Sequence, residues 1–95
     1  MHTWSALLTD LGEAEYRLRE ALPVVLREDD AGIVTARAAD FEVFGEGATV
    51  DAALAQLRGA ILDLYDELAG CDPATLGDLP REWWREMERL IERIL

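Results

Sequence analysis

Apolar residues recur most regularly in the middle of the chain. Val50, Leu54, Leu57, Ile61, Leu64 and Leu68 follow one another at alternating spacings of four and three, which is one face of a helix. Thr49 is a good N-cap for it, and Asp51 falls in the first turn, where the helix dipole favours negative charge. Gly70 fits a left-handed position that would end it. Burying six such side chains is worth on the order of 1.5–3 kcal/mol each before ordering costs, so this face must cover a sheet or a second subunit.

Upstream the pattern is that of strands. Leu22-Pro-Val-Val-Leu-Arg-Glu28 is the first clear one, with Pro23 confining its start to an edge or an entry position. Asp29-Asp-Ala-Gly32 is a turn: aspartate bonds its own backbone and glycine supplies a positive φ. Ile33 to Ala38 returns as the second strand of a hairpin, opened by β-branched residues. After a bend at Ala39-Asp40, Phe41 to Gly47 is a third strand, and Gly45-Glu-Gly47 leads it into the long helix. Before all this, Thr3 is a candidate cap for a short helix through Trp4, Leu7, Leu8 and Leu11, closed by Gly12.

The segment from Asp72-Pro73 to Leu79 reads as a connector. Pro80 suits the first turn of a last helix, about 80–95, because its missing N–H would be unpaired there anyway. Trp83, Trp84, Met87, Leu90, Ile91 and Ile94 form one apolar arc of that helix. They dock it either onto its own core or across a subunit seam. The expected architecture is an α+β domain of residues 1–95 with its core in 22–69. It is a three-stranded antiparallel sheet, the long helix on one face, and a C-terminal amphipathic helix.

Charge sharpens the choice of partner. The chain carries 20 acids and nine basic residues, all of them arginine, for a net charge of −11. Residues 81–95 hold four arginines and four glutamates and sum to zero, so 16 acids and five arginines in residues 1–80 carry the entire −11. Such a body repels phosphate backbones, so direct nucleic-acid binding is not expected. It would steer a basic partner toward itself. Asp63, Asp66 and Glu67 crowd the end of the long helix, where the dipole disfavours them. They are the candidate contact for that partner, and a solvated face is the default explanation.

Catalytic chemistry has little to build on. His2 is the only histidine and Cys71 the only cysteine. A lone thiol forms no internal disulfide and fits a reducing cytosol. Asp29, Asp30, Asp40 and Glu42 are the carboxylates a metal-dependent nuclease would need to converge, but turn and surface roles explain them better. Gly45-Glu-Gly47 lacks the third glycine and the lysine of a phosphate loop, and Glu46 would repel phosphate; its glycines instead permit a strand-to-helix turn or a bulge where backbones approach. No cofactor is expected. No apolar run approaches the ~18 residues of a membrane span, and no leader pattern opens the chain, so a cytoplasmic protein is expected.

Glu28-Asp-Asp-Ala-Gly-Ile-Val34, followed by Gly45-Glu-Gly-Ala-Thr-Val-Asp-Ala-Ala-Leu54, resembles the HicB-like family. The likeness covers about residues 22–69. It implies a partial ribonuclease-H-like sheet without a working nuclease centre, and a non-catalytic antitoxin that captures and masks a small basic toxin, often as an oligomer. The chain departs from that family at Ala38-Ala39-Asp40, where a Pro-Gly-Cys bend is usual. Its tail is an amphipathic helix instead of a DNA-binding domain. A stand-alone homo-oligomer of HicB-like type, without a toxin, is the alternative, and a ribonuclease-H-like enzyme a distant third.

Overall fold

The computed structural model describes residues 2–94. Its elements run β1 (His2–Leu8), β2 (Tyr16–Leu18), β3 (Leu22–Glu28), β4 (Val34–Ala38), β5 (Val43–Gly47), α1 (Val50–Ala69), α2 (Asp78–Leu90) and β6 (Ile91–Arg93). Four strands form one antiparallel sheet in the order β1-β3-β4-β5, and β2 pairs with β6 in a separate two-stranded ribbon. The expected three-stranded sheet is therefore corrected to sheets of four and two strands.

The β3–β4 hairpin follows from its turn chemistry. The Asp29 carboxylate accepts from the amides of Ala31 (2.9 Å) and Ile33 (3.0 Å), and Gly32 takes φ +84°. Leu22, Val24 and Leu26 then point to the core from β3, and Val34, Ala36 and Ala38 from β4. The bend after β4 is a short 3-10 turn, Ala39–Phe41, that buries Phe41; Glu42 leaves it in the left-handed region at φ 54°. The third strand thus starts at Val43 rather than Phe41.

The fourth strand is the segment expected to be a helix. β1 pairs with β3 along its whole length, from His2 opposite Glu28 to Leu8 opposite Leu22. Trp4, Ala6 and Leu8 turn toward the core at period two, while Leu7 lies on the other face, 65% exposed. The spacing of Trp4, Leu7, Leu8 and Leu11 also fits a helix, but pairing with a strand already in place decides the outcome.

α1 lies across β5 and β4. Thr49 caps it by accepting from the Ala52 amide (3.1 Å). Ala53, Leu57 and Ile61 are fully buried on its inner face, with Leu68 near its end. Val50, Leu54 and Leu64 from the expected stripe are half-buried, and Ala53 takes the central place beside Leu57. Gly45 and Gly47 do not serve as turn residues, since neither has a positive φ. They let the helix backbone rest on the strand: a β-carbon at Gly47 would lie 2.8 Å from the Ala53 nitrogen. Gly70 is right-handed (φ −83°, ψ −5°), contrary to expectation, and its amide bonds the Asp66 carbonyl.

The last helix spans Asp78–Leu90, with Pro80 in its first turn, and does not run to residue 95. Arg19 stops it. The Arg19 guanidinium donates to the carbonyls of Glu88 (2.9 Å) and Arg89 (3.2 Å), and the Arg19 amide donates to Leu90 O (2.8 Å). With those carbonyls satisfied, Ile91–Arg93 extends and pairs with Tyr16–Leu18. Met87, Leu90 and Ile91 are buried in the same core as the sheet, Trp83 and Trp84 pack against it, and Ile94 is exposed. No helix among the described residues is long and apolar enough to cross a membrane.

Candidate interaction surfaces

The sheet has two unlike faces. One is covered by α1, whose solvent side is acidic. Asp51, Asp63, Asp66 and Glu67 are all exposed there. The one cation on α1, Arg58, turns aside to hold the β1–β2 loop through the Asp10 carbonyl (3.3 Å) and carboxylate (3.7 Å). The last turn of α1 holds no basic residue.

Asp63, Asp66 and Glu67 do form one side of the helix, but they are not equivalent. Asp66 accepts from the Tyr16 hydroxyl (3.1 Å), which ties β2 to α1. Tyr16 stands edge-on to Tyr65 (ring centroids 5.7 Å apart), and Tyr65 meets Trp84 of α2 (5.4 Å). This aromatic chain docks α2 and β2 onto the end of α1 within one chain. Burial, followed by the hydrogen bond and charge of Asp66, raises the Tyr16 pKa; Arg93 opposes and Glu15 adds to the rise. Asp63 and Glu67 keep their carboxylates in solvent, with no ion pair among the described residues.

The opposite face is open. Thr3, Ser5 and Leu7 of β1 sit opposite Arg27, Val25 and Pro23 of β3. Arg27 and Val25 in turn sit opposite Thr35 and Arg37 of β4, and these opposite Glu46 and Phe44 of β5. Thr3, Val25, Arg27, Asp29, Ile33, Thr35 and Arg37 line a shallow cavity of about 560 Å³ on this face. Leu7 (65%), Phe44 (56%), Val25 (43%) and Ile33 (38%) are exposed around it. Among the described residues, Arg27 and Arg37 make no ion pair, whereas Arg17, Arg19, Arg58 and Arg89 all do. Sequence reasoning missed this surface. Its signal lay in the positions alternate to the buried ones, Val25 and Arg27, then Thr35 and Arg37.

The groups considered for catalysis are dispersed. His2 lies on β1 against Trp4 (centroids 5.0 Å apart), and Cys71 follows α1, its thiol donating to the Glu67 carbonyl (3.3 Å). Asp29 is occupied in its turn, while Asp40 and Glu42 belong to the bend before β5. Among the described residues, no three of His, Cys, Asp and Glu gather as metal ligands would. No family model, curated protein or solved structure matches this chain.

Proposed function

We propose that this chain is a non-catalytic protein-binding module of the HicB antitoxin type, which captures a small basic toxin and covers its working surface. The observation that carries the reading is the solvent side of α1. It presents Asp63 and Glu67, one turn apart, with no ion pair among the described residues, and the one cation of the helix, Arg58, is committed to Asp10. The i,i+4 like-charge pair Asp63–Glu67, at the end of the helix where the dipole disfavours acids, costs stability in isolation and is relieved by a cationic partner. The net acidic body around it would raise the rate of such an encounter.

Affinity capture of the chain from its native cells at moderate salt tests this. A stoichiometric small basic protein that leaves as salt rises, and that binds Asp63→Arg and Glu67→Arg variants weakly, supports the reading. A partner indifferent to both variants and to salt overturns it. A stand-alone homo-oligomer without a toxin is the second reading, favoured by a separate observation, the uncovered sheet face with Leu7, Val25, Ile33 and Phe44 exposed.

A further inference from the structure

The open sheet face differs in charge from the rest of the molecule. Its charged side chains are Arg27 and Arg37, Glu46 on β5, and Asp29 at the rim of the cavity, two positive and two negative. On a chain of net charge −11 this face is neutral, and it carries Leu7, Val25, Ile33 and Phe44 in the open. A basic partner is drawn instead to α1, on the other side of the sheet. A nucleic acid is repelled by the body as a whole.

A second copy of the chain has different requirements. Across a two-fold axis every charge occurs twice, so a surface that meets itself must be close to neutral. Sheets also bury apolar faces by packing on each other about 10 Å apart. Arg37 and Glu46 are diagonal neighbours across β4 and β5, with Arg37 opposite Phe44 and Glu46 opposite Thr35. Among the described residues they form no ion pair with each other.

We propose that a second copy of this chain covers the open face in a two-fold, sheet-on-sheet dimer. Arg37 of each copy pairs with Glu46 of the other, with Val25 and Phe44, which flank Arg37 across the sheet, packed at the seam. The inference rests on the homo-oligomer reading, to which it adds the face and the pairing residues, and it is independent of toxin binding. In such a dimer both α1 helices face outward, so their acidic sides stay free.

Sedimentation equilibrium of the purified full chain, with no partner added, reads this directly. A dimer is expected. Arg37→Glu and Glu46→Arg should each raise its dissociation constant about tenfold or more, and the double charge swap should restore it. Rescue by the second swap excludes misfolding as the cause, and hydrogen exchange should show slower amides in β4 and β5 on dimerisation. A chain that stays monomeric through the micromolar range overturns the proposal. So does a dimer that neither single swap nor Phe44→Glu weakens. Neither result touches capture of a toxin by α1, which the Asp63 and Glu67 variants read separately.

Discussion

Gly45 lies directly beneath the backbone of Leu57: a β-carbon on Gly45 would fall 2.4 Å from the Leu57 nitrogen and 2.5 Å from the Ala53 carbonyl oxygen. These are main-chain atoms of a capped helix, so no side chain can swing away to make room. Gly45→Ala must push α1 off β5 and disturb the seat of Ala53, Leu57 and Ile61. A loss of about 3 kcal/mol is expected, at the upper end of overpacking costs. Gly47→Val should behave alike. Thermal melting checks both, and an unchanged melting temperature in Gly45→Ala would mean that helix and strand are not in contact here.

Gly59 is the counter-case on the same helix. Nothing lies within 4 Å of where its β-carbon would be, and it has helical neighbours on both sides. Gly59→Ala should therefore stabilise the chain by about 0.5–1 kcal/mol, chiefly by restricting the unfolded state. Urea unfolding would show a higher midpoint with the same slope.

These glycines show how far local pattern reaches. Gly45 and Gly47 are legible as special, but strand-to-helix bending and close backbone approach look identical in one dimension. The long helix is legible because its apolar period is sustained over five turns and its cap is local to Thr49. The hairpin is legible because Asp29 and Gly32 act within their own turn. β1 and β6 are not, because their partners are distant. His2 pairs with Glu28, and Arg93 with Tyr16 across the whole chain. The acidic end of α1 could be read from charge alone. The open face could not, because Arg27 and Arg37 become neighbours only through the β3–β4 register.

The Tyr16–Asp66 contact gives a pH dependence whose sign follows from its causes. Burial and the Asp66 carboxylate favour the neutral phenol, so Tyr16 in the folded chain holds its proton above the ordinary tyrosine value near 10. The folded state thus binds this proton more tightly than the unfolded state does. Its contribution to stability is fully present below pH ~10 and is lost as pH rises through the folded value. Absorbance titration should show one tyrosine ionising late. Asp66→Asn should bring it back toward its normal value; a titration unchanged by that substitution would remove Asp66 from the account.

Arg19 makes a different kind of prediction, about where a helix ends. Its guanidinium holds the carbonyls of Glu88 and Arg89, and the same side chain lies 3.8 Å from the Glu92 carboxylate. Arg19→Met keeps much of the apolar stem and removes the donors. It should cost about 1 kcal/mol, the scale of a helix-end interaction. Hydrogen exchange should quicken locally at residues 88–93 while the sheet keeps its protection. Uniform acceleration throughout the chain would instead assign Arg19 a general packing role.

Leu7 and Leu8 decide between strand and helix at the start of the chain. In a helix of the spacing first expected, both would belong to one apolar stripe. In β1 they point to opposite faces: Leu8 is buried opposite Leu22, and Leu7 is exposed opposite Pro23. Leu8→Ala should cost about 2–5 kcal/mol, as buried leucine truncations do. Leu7→Ser should stay within about 0.5 kcal/mol when melted at concentrations where the chain is monomeric. At higher concentrations Leu7→Ser should lose any dimer-linked stability as well, because that side chain lies on the open face. Equal and large losses from both substitutions in the monomer would return this segment to a helix and remove the fourth strand of the sheet.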